Sequence, residues 1–277
     1  MNNFTQRAIT GLSFAFIMAA SILLSPWSFV AIFFLISTLG LIEFYQLMKS
    51  DQSAPQVISG VLIAQTLFLL LTYLLWSKSD FDLMLVAIPM VSTVFIMELF
   101  RNKSHPFQNI AITLMGIVYL TLPMLLMVKI AFGFTPGDLI PYHGEIIMGC
   151  ILLVWASDTG AYMIGSKIGK NRLFERISPK KSWEGFFGGM ITSVLAAWLI
   201  STWFEDLTMI EWMIISVIIV VTGTLGDLVE SMLKRSLGVK DSGNILPGHG
   251  GILDRFDALL ISIPFVFFYL FLIGKFS

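Results

Sequence analysis

Residues 210–235 read "IEWMIISVIIVVTGTLGDLVESMLKR". No charge interrupts the run between Glu211 and Asp227, and at ~1.5 Å rise per residue a helix from residue 210 crosses most of a ~30 Å hydrocarbon core before it meets Asp227. An apolar run that ends in acids and bases at one edge is the signature of a membrane span with polar work at one face. The rest of the chain repeats the pattern.

Of 277 residues, 56% are hydrophobic and 13% charged, with a mean hydropathy of +0.85; ordinary soluble domains run near 45–50% and about 25%. Cutting at polar, Pro and Gly clusters gives nine apolar segments, near 7–24, 27–48, 57–76, 82–100, 107–131, 145–168, 186–203, 210–236 and 257–274. This predicts an all-α polytopic membrane protein, one domain over 1–277, with scaffold helices in 1–144 and catalytic helices and loops in 145–277. The stretch "RAITGLSFAFIMAASILLSPW" runs straight into a second span and lacks a small-x-small cleavage site, so it reads as a retained helix. The lone cysteine, Cys150, excludes an intramolecular disulfide.

Orientation follows from the basic residues. With the N-terminus cytoplasmic, 14 of the 17 Lys and Arg fall inside, all but Lys78, Lys129 and Lys275. The positive-inside rule then sets the C-terminus outside for an odd number of spans. The two long loops, 169–184 and 237–256, are on the inner side.

Acids gather at that inner level. Asp158 is about 13 residues into a helix that starts outside, so ~20 Å across. Asp227 and Glu230 reach a similar depth on the 210–236 helix, and Asp254 and Asp257 open the last one. Pairs at i, i+3 share a helix face. Bare carboxylates in hydrocarbon are costly, and the nearby Lys234, Arg235 and Arg255 are too few to neutralise five of them. A cation is called for, and all-oxygen ligands select Mg²⁺ before Zn²⁺. The competing reading is a set of structural salt bridges.

"GSKIGKN" (165–171) is not a phosphate loop: three residues, not four, separate its glycines, and Asn171 follows Lys170. Gly165/Gly169 and Gly185/Gly189 have the spacing of close helix packing. In "ISPKKSWEG", Ser178 and Pro179 read as a turn before a new helix, with Lys180 and Lys181 placed for polyphosphate or for anionic head groups. In "LPGHGGILDRFD" (246–257), the glycines allow close backbone approach to a ligand, and His249 suits phosphate binding or proton transfer. Hard-metal ligands, lysines and head-group depth point to phosphoryl or nucleotidyl transfer onto a lipid.

The stretch "SMLKRSLGVKDSGNILPGHGGILDRFD" (231–257) resembles the signature of the CDP-diacylglycerol synthase, or phosphatidate cytidylyltransferase, family. "SDTGAYMIGSKIGK" and "ISPKKSWEGFFGG" resemble two further blocks of that family, with Ser182 where Thr is expected. The resemblance implies a nine-helix homodimer in the inner membrane that converts CTP and phosphatidate to CDP-diacylglycerol and pyrophosphate at its cytoplasmic face. It implies Mg²⁺ on Asp227 and Asp254, a monovalent cation such as K⁺, and Asp257 in support. Catalysis is then expected from Asp227, Asp254, Asp257, Lys234, Arg235 and His249. Substrate binding is expected from Asp158, Lys180, Lys181, Ser231, Lys240 and Arg255. Two alternatives are a CTP-dependent polyprenol or phytol kinase, which needs a base for its alcohol, and a cation-coupled transporter, which usually shows paired repeats.

Overall fold

The computed structural model describes residues 3–133, 142–243, 245 and 250–276. Its helices are α1 (Asn3–Leu24), α2 (Pro26–Met48), α3 (Val57–Trp76), α4 (Met84–Arg101), α5 (Pro106–Gly116), α6 (Leu122–Phe132), α7 (Gly144–Ile168), α8 (Trp183–Ile200), α9 (Met209–Ser236) and α10 (Leu253–Leu272). A π turn, Ile117–Thr121, joins α5 to α6 into one 27-residue run, Pro106–Phe132. Among the described residues this makes the nine helical segments expected, eight of them long and apolar enough to cross a membrane. The protein is a multi-pass membrane protein.

The π turn has a local cause. Pro123 has no N–H for the ladder and its ring crowds the preceding turn, and widening the helix by one residue relieves both. The Leu122 amide accordingly bonds back to the carbonyl of Ile117.

The chain divides into two compact units. The first holds residues 1–133 and 241–255. Within it Tyr45 is wholly buried and donates its hydroxyl to the Thr113 carbonyl at 2.8 Å. Gly60 and Gly116 leave the space its ring fills. Glu98, which the sequence reading passed over, accepts from Gln56 Nε2 (2.7 Å), Arg101 Nη1 (2.8 Å) and Asn109 Nδ2 (2.7 Å). Its buried carboxylate is thereby satisfied, as membrane burial demands.

The second unit holds residues 134–240 and 256–277. Here α7 and α8 touch backbone to backbone where Gly165 faces Gly185 and Gly189 faces the Ser157 carbonyl, and Gly160 makes room for the Thr192 side chain. Thr192 and Ser193 donate across the seam to the carbonyls of Ala156 (3.0 Å) and Leu153 (3.2 Å). The glycine spacings therefore serve packing. Helix α9 opens with a capping box of Thr208 and Glu211, and packs Gly223 and Gly226 against α10 at Ala258, Ser262 and the Asp257 carbonyl.

One local expectation fails. Ser178 and Pro179 are not a turn but the start of strand β2 (Ser178–Ser182), paired antiparallel with β1 (Arg172–Phe174). The turn falls at residues 175–177. Pro179 is not one of the register partners, Arg172↔Ser182 and Phe174↔Ser178, and each strand of a two-stranded ribbon has one free edge, where a missing N–H is tolerated.

Candidate active site

The hairpin carries its lysines into α8. Ser182 ends β2 and caps the helix, its Oγ accepting from the Gly185 amide at 3.1 Å. Glu184 in the first turn reaches back to accept from the amides of Lys170 (3.1 Å) and Asn171 (3.2 Å) and from Asn171 Nδ2 (2.8 Å). The 169–171 turn is thus fastened to the base of the hairpin.

Between hairpin and helices, inside the second unit, lies a cavity of about 540 Å³. Its cations are Arg172, Lys180 and Lys181, and its acids are Asp158 and Asp227. Val154, Ile219 and Ala258 supply an apolar wall, with the hydroxyls of Ser157, Ser166 and Thr224 among the lining. Lys181 Nζ meets Asp227 Oδ2 at 2.5 Å, and Ser231 donates to Asp227 Oδ1 at 3.2 Å. The charges of Asp227 and Asp158 act on Asp257, whose Oδ1 accepts from the Ala258 amide at 2.8 Å. Asp158, Asp227 and Asp257, from α7, α9 and α10, therefore lie within reach of one another's charge, and Glu230 follows Asp227 by one turn of α9.

Two of them differ in kind. The Asp227 side chain is 37% exposed and presented to the cavity, whereas Glu230 is 2% exposed and bound to Lys234 at 2.9 Å. Lys234 is thus directed to a buried partner, and it does not line the cavity. Arg235 and Lys240 are exposed near the end of α9 and beyond it.

Asp254 and Arg255 belong to the first unit. Asp254 Oδ2 accepts from the amides of Ser242 (3.1 Å) and Gly251 (2.8 Å), and Arg255 is exposed. Gly250 has φ +81°, and a Cβ there would strike Asp254 Oδ2. A Cβ on Gly251 would strike Glu43 and Ser242. These glycines admit the protein's own carboxylates to the backbone. His249 lies outside the described residues.

Sequence reasoning missed Arg172, Glu184 and Glu43. Glu43, 4% exposed on α2, accepts from Ser242 Oγ (2.5 Å), the Ile252 amide (2.9 Å) and the Leu253 amide (3.1 Å). A lone acid within "LIEFYQLM" was the available signal. Its bonds to Ile252 and Leu253 satisfy two of the orphan amides at the head of α10, which starts four residues before the expected 257.

The atoms beside Asp227 able to ligate a cation are oxygens, of Asp158 across the same cavity and of Ser231, which fits a hard cation, while the Lys181 ammonium rests on Oδ2. Among the described residues no group of three or more His, Cys, Asp or Glu is set to enclose a metal. An ion held there would take one or two carboxylates and complete its shell with substrate phosphates and water, the usual manner of Mg²⁺.

A family model described as the cytidylyltransferase family matches residues 5–273. A protein of Bacillus subtilis (strain 168) named phosphatidate cytidylyltransferase is 30% identical over 271 residues, 98% of either chain. One of Staphylococcus aureus (strain COL) with the same name is 37% identical over 243 residues, covering 85% of this chain and 78% of its own. Another so named, from Haemophilus influenzae, is 45% identical over 140 residues, 48% of this chain and 49% of its own. With nearly its whole length matched, the chain belongs to the cytidylyltransferase family, as its resemblance to the CDP-diacylglycerol synthases implied.

Proposed function

We propose that the protein transfers the cytidylyl group of CTP to phosphatidate, giving CDP-diacylglycerol and pyrophosphate. The observation that carries this reading is the cavity in which Arg172, Lys180 and Lys181 face Asp158 and Asp227 within a membrane-spanning unit. The relatives named phosphatidate cytidylyltransferase, matched over most of the chain, support it, and they give no support to the lipid-kinase or transporter readings.

A phosphate oxygen of phosphatidate forms a bond to the α-phosphorus of CTP, and the bond from that phosphorus to the bridging oxygen of the β-phosphate breaks. The attacking oxygen is already anionic, so no side chain has to remove a proton from it. The protein's work is positioning and charge compensation. Arg172, Lys180 and Lys181 bind the triphosphate and offset the charge that builds on the leaving pyrophosphate. Asp158 orients the nucleotide from the α7 side. Asp227 holds Mg²⁺, with Asp257 in support, and on the family resemblance Asp254 is its second carboxylate. When bound, the ion neutralises phosphate charge and polarises the phosphorus under attack.

The same proposal includes a monovalent cation such as K⁺, Ser231 as a brace for Asp227, and Lys240, Arg235, Arg255 and His249 as further phosphate contacts. It also includes a homodimer in the inner membrane whose site faces the cytoplasm, where CTP is found. The deciding assay mixes purified protein, labelled CTP, phosphatidate and Mg²⁺. A lipid-soluble cytidylated product that needs both substrates supports the reading. Label appearing as phosphate on an alcohol lipid, or no transfer, contradicts it.

A further inference from the structure

Glu43 is the one charged residue of α2 and sits five residues before its end, and its three partners are all donors from one short region: Ser242 Oγ, the Ile252 amide and the Leu253 amide. Burial of such a group in a membrane helix is costly. Capping a helix does not demand it, since a local Ser, Asp or Asn does so more cheaply. What a carboxylate on α2 does that a local cap cannot is tie both ends of the signature loop to a separate, rigid element.

Ser242 makes the connection specific. Its Oγ donates to Glu43 while its backbone N–H donates to Asp254 Oδ2 at 3.1 Å, so one residue bridges the two carboxylates. On the other side Gly251 donates to Asp254 Oδ2 at 2.8 Å, and Ile252 and Leu253, next in sequence, donate to Glu43. Gly251 leaves no room for a side chain between them. The Asp254 carboxylate is thus oriented by the amides of Ser242 and Gly251, and Glu43 holds the first residue by its hydroxyl and the second through the two amides that follow it.

We infer that Glu43 is a positioning residue for the transfer reaction, acting through Ser242 and the 251–253 backbone to orient Asp254. This rests on the proposed function for its catalytic consequence, though the anchoring can be measured separately. Ser242 and Leu253 both donate to Oε1 and Ile252 to Oε2, so Gln at position 43, with one acceptor oxygen, turns an NH₂ toward either the Ile252 amide or the Ser242–Leu253 pair and cannot keep all three bonds.

The test compares wild type, Glu43→Gln and Ser242→Ala in lipid nanodiscs. It measures kcat per folded molecule, KM for CTP, melting temperature and hydrogen exchange of the 251–253 amides. Glu43→Gln should lower kcat at least ~10-fold, the usual effect of disturbing a partner that orients a ligand, with KM for CTP within about twofold of wild type. Exchange at 251–253 should rise about tenfold. Ser242→Ala keeps its N–H to Asp254 and should show a smaller fall in kcat with nearly unchanged melting temperature. If Glu43→Gln does not fold, Ser242→Ala decides. Unchanged kcat, or a loss that only tracks the melted fraction, overturns the inference. Absence of cytidylyl transfer by wild type is a failure of the proposed function instead, and exchange at 251–253 then decides the anchor alone.

Discussion

Lys181 Nζ stands 2.5 Å from Asp227 Oδ2, with the two side chains 26% and 37% exposed. A residue read from the sequence as a triphosphate ligand and one read as a metal ligand are therefore each other's partners. The Lys181 ammonium group occupies a cation's place on Oδ2 of Asp227, and a metal that binds that oxygen competes with it.

Lys181→Ala should consequently move two quantities in opposite directions. KM for CTP should rise, because a phosphate-binding charge is lost, while the Mg²⁺ concentration for half-maximal activity should fall. An exposed pair is worth up to ~1 kcal/mol, so the Mg²⁺ shift should be no more than about fivefold. Lys180→Ala should raise KM for CTP alone. Mg²⁺ titrations of both variants at saturating CTP check this, and an increased Mg²⁺ requirement in Lys181→Ala would count against the pairing.

Lys234 behaves differently, because its partner Glu230 is 2% exposed. Removing the lysine leaves a buried carboxylate short of compensation, which costs about 3 kcal/mol. Lys234→Met should lower the melting temperature by several degrees, and adding Glu230→Gln should restore most of it. A Lys234→Met variant with normal stability and a raised KM for CTP would return this residue to the triphosphate.

The spans were legible because lipid imposes a period and a length: the expected 57–76 segment and α3 (Val57–Trp76) coincide. Asp158, Asp227, Lys180 and Lys181 were legible as well, since charges at the edge of apolar runs need a reason. The hairpin at 172–182 was not, because Pro179 signals a turn in any local reading and only the pairing of β1 with β2 makes it a strand. Glu184 and Arg172 were lost in a loop rich in charge, where no periodicity ranks one residue above another. Glu43 was missed for a different reason. Its partners are about 200 positions away, at 242, 252 and 253, beyond any pattern a window can see.

Orientation is open to direct labelling. With Cys150 replaced, single cysteines at Glu175 and Lys240 should react with an impermeant thiol reagent only from the cytoplasmic side, and one at Glu205 only from outside. Labelling of position 240 from outside would overturn the topology and the route of CTP to the cavity.

In the proposed reaction Asp227 serves transfer of the cytidylyl group through its charge. Asp227→Asn isolates that property: Oδ1 is kept for Ser231, and the lost pair with Lys181 is exposed enough to matter little for folding. The most direct measurement is the CTP-dependent formation of cytidylated lipid by wild type and Asp227→Asn side by side, with melting temperatures on the same preparations. Product is expected from wild type, with at least ~100-fold less from the variant, equivalent to ~2.7 kcal/mol in the barrier, and equal melting temperatures. Near-normal turnover by Asp227→Asn, or a loss explained by a collapsed melting temperature, would contradict it.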